Sequence, residues 1–187
     1  VEPLVNTVAH YFFDKAWDSP RWKAWRARLR GQAAALLYRA VHPRSGHEPL
    51  TGRWSAKHGG RFNRRGRPTL YLSLSPLTSI KEVMRDGRFQ PTLVVTVDAA
   101  LDDVADVAAS GLDPDALRGD AWWWAIRRGE VAPSQALAED LEAQGASGLL
   151  VNSFAPLAGP KDMNLVLWRW SPDSLRVVDD ERRLPRP

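Results

Sequence analysis

Residues 59–83, GGRFNRRGRPTLYLSLSPLTSIKEV, constrain this chain more than any other stretch, because an arginine loop, a strand and a helix follow one another without spacers. Gly59 and Gly60 permit a sharp bend or a close backbone approach to a ligand. Arg61, Arg64, Arg65 and Arg67 carry forked guanidinium donors that match phosphate oxygens. From Thr69 to Ser75, Leu and Tyr alternate with small polar residues, the pattern of a half-buried strand. Ser75-Pro76 reads as an N-cap followed by proline at the first helical position. Glu82 falls near the end of that helix, eleven residues after Tyr71. The order loop, strand, helix, acid predicts a site for a phosphorylated, ring-bearing ligand.

A chain of 187 residues is most simply one domain with a substantial core. An apolar content of 44% with nine tryptophans fits a folded globule rather than a disordered segment. The absence of cysteine excludes disulfides and thiolate zinc sites, and a reducing cytoplasm is the expected compartment. No run approaches a membrane span, and VEPLVNTVAH lacks a signal-peptide pattern. A net charge of +4 favours anionic partners only modestly. Only five of the 26 basic residues are lysine, as a biased genome would also produce, so placement counts for more than number.

Residues 11–37 read as helical, with Trp22, Trp25 and Leu29 in one stripe and Ser19-Pro20 starting the second segment. Leu36 to Val41 is the expected first strand, carrying Arg39, and His42 to His58 reads as loop. Thr92 to Val97 is a β-branched strand, and Ala100 to Asp115 reads as irregular with short helical turns. A helix from near Pro114 is expected to carry Trp122, Trp123 and Trp124 as core and packing residues. Pro133-Ser134 opens another helix, which ends at a Gly145 cap. Gly148 to Phe154 reads as a buried strand ending in Asn152-Ser153, and Asn164 to Trp170 as the last strand. Strands and helices interleave too irregularly for a doubly wound sheet, so the expected class is α+β. Residues 179–187 read as a frayed tail.

With Arg39, Gly60-Arg61-Phe62-Asn63, Tyr71, Glu82, Pro133-Ser134-Gln135 and Asn152-Ser153 in this order, the chain resembles the RES domain. That family is named for an arginine, a glutamate and a serine, which here look like Arg39, Glu82 and Ser153. The likeness runs from about Leu37 to Trp168 and leaves the N-terminal helical segment outside. It implies three parts: a helical segment over 1–36, an NAD-binding domain over 37–178 and the tail. The implied fold is similar to that of ADP-ribosyltransferase toxins, a split mixed or antiparallel sheet flanked by helices. The implied role is the toxin of a bacterial toxin–antitoxin pair, with an Xre-like helix-turn-helix antitoxin as partner. The implied activity is cleavage of the nicotinamide–ribose bond of NAD, by hydrolysis or phosphorolysis. Some relatives instead transfer ADP-ribose to a protein.

Carried over by position, the resemblance implies that Arg39 and Arg61 hold the phosphates and ribose of NAD, with Asn63 in the binding set. Tyr71 would pack on nicotinamide, Glu82 would be the key acid, and Ser153 would hydrogen-bond the ligand near its nicotinamide end. Ala40 follows Arg39 where some relatives carry tyrosine, so part of the aromatic wall has to come from elsewhere. A basic, aromatic cleft of this kind is most simply blocked by a partner's C-terminus, which offers a carboxylate to the arginines.

The residues also have plainer readings. At about 100° per residue, Glu82 points away from the apolar stripe Leu77, Ile80, Val83 and Met84, toward solvent and pairing with Arg85 or Arg88. Arg39 reads equally as an edge arginine with its head in water, and Tyr71 as an ordinary strand tyrosine. Ser153 suits a strand end, and the arginines of 61–67 suit a solvated charge run. His10, His42, His47 and His58 show no metal-ligand spacing, and without cysteine or a clustered carboxylate no metal is expected. RWKAWRARLR interleaves Trp with Arg and Lys as single-strand nucleic-acid binders do, which gives a second function class. The same stretch reads as an amphipathic helix that packs its Trp stripe inward.

Overall fold

A computed structural model describes residues 35–84, 90–106, 117 and 119–185. The helices expected over 11–37, the RWKAWRARLR face, Arg85, Arg88 and the helix start near Pro114 lie outside the described residues, apart from the strand that begins at Ala35.

Seven strands form one mixed sheet: β1 (Ala35–Val41), β2 (Leu70–Ser73), β3 (Leu93–Ala99), β4 (Val104–Asp106), β5 (Gly148–Asn152), β6 (Met163–Leu167) and β7 (Leu175–Val178). Their order across the sheet is β4-β5-β6-β2-β1-β3-β7, antiparallel throughout except for the parallel β4–β5 pair. Among the described residues the helices are α1 (Arg53–His58), α2 (Pro76–Val83), α3 (Ala121–Arg128) and α4 (Pro133–Ala143). This is an α+β domain, as expected.

The sheet is split. β1 pairs with β3 over seven consecutive positions, yet with β2 only through Tyr38 opposite Ser73. On either side of that point the two strands are unpaired with each other. Alternation along the strands separates two apolar layers. Leu37, Leu70, Leu72, Val95, Val97, Leu165 and Leu167 form the core on one face. Phe62, Leu141, Leu149, Val151, Val166 and Trp168 form the core on the other, under α4.

Several local expectations are corrected. The 42–58 loop contains a short 3-10 turn at Pro43–Ser45 and the six-residue α1, set between Gly52 and Gly59, both at positive φ. Val104–Asp106 is a strand because it has a parallel neighbour in β5; three residues carry no period of their own. The last strand is β7, a four-residue edge strand on β3, and β6 ends at Leu167. The α4 helix ends one residue earlier than its expected glycine cap, at Gln144, with Gly145 following at φ 102°. Of the tail, residues 179–185 turn back on the body. The Asp179 carboxylate accepts from the Arg183 and Leu184 amides, and Leu184 packs against the first core.

Candidate active site

Glu82 is where periodicity and resemblance disagree, and the reason lies in how α2 is held. Ser75 caps the helix by accepting from the Thr78 amide at 3.0 Å, with Pro76 at its first position. The face that α2 buries is small and polar: Thr78 and Ser79 are buried, whereas Leu77 is 60% exposed. Asp162, just before β6, fastens this face. It accepts from the Thr78 hydroxyl at 2.6 Å, from the Lys81 ammonium at 2.8 Å and from the Gly159 amide at 2.7 Å. The Lys81 hydrogen bond, then those from Thr78 and Gly159, hold the Asp162 carboxyl down at about 2. Rotating the helix this way brings Glu82, one turn beyond Thr78, over the ends of β5 and β6. Of the stripe, Leu77 is exposed whereas Ile80, Val83 and Met84 are half-buried, and Glu82 stays exposed as its periodicity predicts, with its carboxylate held by Ser153 and Asn164.

One oxygen of Glu82, Oε1, accepts from Ser153 Oγ at 2.5 Å and from Asn164 Nδ2 at 2.5 Å. Asn164 in turn accepts from Ser73 Oγ at 2.8 Å, and Ser73 is the β2 residue at the split. Ser153 is 2% exposed and pinned by its amide, which donates to the Asp162 carbonyl at 2.8 Å. The second carboxylate oxygen of Glu82 has no protein donor among the described residues.

The arginine loop is built from inside. Gly60 and Asn63 pair across a tight turn. Asn63 is 2% exposed, and its amide nitrogen donates to the carbonyls of Ser55, Arg64 and Arg67. Tyr71 donates its hydroxyl to Asn63 Oδ1 at 2.7 Å and accepts from the Phe62 amide at 3.1 Å. Burial pushes the Tyr71 phenol above its ordinary range, more than the Phe62 hydrogen bond and nearby Arg61 lower it. A side chain on Gly60 would meet the Tyr71 hydroxyl at 2.6 Å and Asn63 Oδ1 at 2.7 Å, so this position has room only for glycine. From α4, Ser134 Oγ donates to the Arg61 carbonyl, and Gln135 Nε2 to those of Gly60 and Asn63. The Pro133-Ser134-Gln135 motif is thus the clamp on the Gly60–Asn63 turn.

The four loop arginines divide. The Arg64 guanidinium forks onto Glu139 at 2.5 and 3.1 Å, and Arg67 pairs with Glu142, so these two dock the loop on α4. Arg65 reaches the His58 carbonyl at 3.4 Å. Arg61 points elsewhere: its guanidinium lies 4.5 Å from the Phe154 ring centre and 5.4 Å from that of Trp122. It donates to the carbonyls of Leu117 and Gly119. Phe154 follows Ser153, so Arg61 is brought to the end of β5 where Glu82 is held. Tyr71 packs in the same layer as Phe62 and Phe154.

Arg39 is not in that cluster. Tyr38 shares a face with Ser73, so alternation puts Arg39 on the opposite face with Leu37 and Val41. There it lines a cavity of about 300 Å³ and donates to the Pro49 carbonyl. Burial lowers the Arg39 pKa to about 10, and no carboxylate among the described residues pairs with it.

Asn164, Asp162 and Phe154 were not legible as site residues, although Asn164 opens the NLVLW run and Phe154 closes NSF. Trp122 is half-buried and packs under Arg61, whereas Trp123 and Trp124, expected as core and packing residues, are 39% and 51% exposed. Among the described residues, no group of three or more His, Asp or Glu side chains gathers as metal ligands would. No helix among them is long and apolar enough to cross a membrane.

A split mixed sheet that carries one hydrogen-bonded glutamate over its strand ends defines a class of α+β domain with a single-carboxylate site. The chain belongs to the RES family: the RES domain model matches residues 17–187. That span begins at residue 17, inside the N-terminal segment and ahead of the likeness that starts near Leu37. Among solved structures, the crystal structure of the M. tuberculosis MbcT–MbcA toxin–antitoxin complex is similar, with TM-score 0.57 and 23% identity. The likeness covers 83% of this chain and 88% of that one, and it bears on the fold. Among curated proteins, none matches the sequence significantly.

Proposed function

We propose that this chain is a toxin that destroys NAD by cleaving its nicotinamide–ribose bond, and that an antitoxin keeps it inactive. The observation that carries the reading is Glu82, with one oxygen gripped by Ser153 and Asn164 and the other without a protein donor, beside the Arg61–Phe154 stack. Nicotinamide in NAD is already a cationic leaving group, so it departs with the bonding pair and needs no acid. The carbon it leaves becomes oxocarbenium-like, and a fixed carboxylate stabilises that charge electrostatically. Ser153 and Asn164 hold the carboxylate so that it need not reorganise as charge develops. Arg61 supplies the phosphate grip, Arg39 a second cation across the split, and Tyr71 with Phe154 and Trp122 the aromatic wall that Ala40 does not provide. Water then attacks with loss of a proton to give ADP-ribose, or phosphate attacks to give ADP-ribose 1″-phosphate. A protein side chain as acceptor would use the same cleft.

The test is incubation of the purified chain with NAD and a chelator, with and without phosphate, followed by product identification. Nicotinamide release is expected without added metal, and the second product names the acceptor. Glu82→Gln should melt at the same temperature and turn over on the order of 10²-fold more slowly. No nicotinamide release, or full activity in Glu82→Gln, would sink the proposal.

A further inference from the structure

Ser73 is the one residue of β2 that is paired on both sides. It lies opposite Tyr38 of β1 and opposite Asn164 of β6, whereas Leu70, Tyr71 and Leu72 pair with β6 alone. The point where the sheet splits is therefore a point where the backbone is held by two neighbours. The Ser73 side chain is buried, and its hydroxyl makes a single hydrogen bond among the described residues, to Asn164 Oδ1 at 2.8 Å. Asn164 Nδ2 donates in turn to Glu82 Oε1 at 2.5 Å. A carboxylate only accepts, so the amide has to present its NH2 group to Glu82 and its carbonyl to Ser73. Serine can donate or accept, and here the direction of both bonds is imposed from Glu82. A side-chain amide turns about its last torsion over a broad well, so a bond at one end leaves it free to swing. Ser153, the other donor to Oε1, is placed by its own amide bond to the Asp162 carbonyl. The half-buried Asn164 head has only Ser73 to place it from behind.

We propose that Ser73 is a positioning residue for the NAD-cleaving site. It touches no substrate, and it acts through Asn164 by fixing the amide that holds one oxygen of Glu82 and so aims the other. The catalytic consequence rests on the function proposed above, which makes Glu82 the stabilising carboxylate. The anchoring of Asn164 by Ser73 does not.

The experiment compares Ser73→Ala, Ser73→Cys, Asn164→Ala and the double variant Ser73→Ala/Asn164→Ala with the parent, per folded molecule. Cysteine fills the space of serine but is a weak donor, so it separates the hydrogen bond from packing. Ser73→Ala and Ser73→Cys should each lower kcat about tenfold and change KM by less than about twofold. In the Asn164→Ala background, Ser73→Ala should cost less than about twofold more, because a residue that works through a partner loses its effect with that partner. The Asn164 side-chain amide protons, followed by NMR without ligand, should exchange with water about tenfold faster in Ser73→Ala. Full kcat in Ser73→Cys, a raised KM at unchanged kcat, losses that multiply in the double variant, or unchanged exchange at Asn164 would each overturn the proposal. A parent chain that releases no nicotinamide, with Asn164 exchange still faster in Ser73→Ala, would sink the function proposed above and leave the Ser73–Asn164 anchor standing.

Discussion

At the scale of residues, the site depends on side chains whose partners are fixed by hydrogen bonds rather than by bulk. Tyr71 illustrates this: its ring is part of an apolar layer, while its hydroxyl joins the Phe62 amide to Asn63. Tyr71→Phe keeps the ring and removes only the joint. It leaves a donor and an acceptor without partners, which costs about 1–3 kcal/mol when such groups are buried. The variant should therefore melt several degrees lower yet retain NAD turnover per folded molecule. Equal melting temperatures, or a turnover loss as large as that of Glu82→Gln, would show that the hydroxyl works on the ligand rather than on the loop.

At the scale of elements, α2 is the part that has to be aimed, and Asp162 aims it. Its carboxylate ties Thr78 and Lys81 of the helix to the Gly159 turn, and its carbonyl accepts from the Ser153 amide. Asp162→Asn should lower the turnover of NAD while leaving the Glu82 chemistry itself intact, because the helix is less firmly placed. The pH dependence has a definite sign. The Asp162 carboxyl titrates at about 2 in the folded chain, below the unfolded value of about 3.9, so the unfolded state binds the proton more tightly. The stabilisation is present above about pH 4 and is lost as pH falls toward 2. Melting curves of the parent and Asp162→Asn should differ at neutral pH and converge over that window. A difference that persists unchanged at pH 2 would assign the effect to something other than this carboxylate.

At the scale of the whole molecule, the split sheet sets Arg39 on one face and the Arg61–Phe154 stack on the other, with the unpaired β1–β2 seam between their strands. A chain that removes a central cofactor would kill its host unless that cleft is filled, and a chain terminus with a carboxylate suits Arg61. Expression alone should arrest growth with falling NAD. Co-expression of the antitoxin should relieve the arrest, and truncating the antitoxin's C-terminus should abolish the relief. Harmless overexpression with unchanged NAD would count against the toxin reading.

The sequence by itself determined what short-range chemistry can encode. The Ser75-Pro76 cap, the strands around Arg39, Tyr71 and Val95, and the α+β class all follow from local periodicity and turn residues. The order of Arg39, Arg61, Glu82 and Ser153 was legible too, through the family pattern. That Glu82 stays exposed was legible from its periodicity, but its partners were not, because a helix gripped by Asp162 through Thr78 and Lys81 sets the carboxylate against Ser153 and Asn164, residues remote along the chain. Nor could residue order show that Arg64 and Arg67 are spent on Glu139 and Glu142, partners some 75 residues away along the chain. Tertiary structure alone decided that Arg39 and Glu82 stand on opposite sides of a seam. Strand alternation acts on each residue singly, whereas a split depends on which strands stop pairing, and that is settled only when the whole sheet forms.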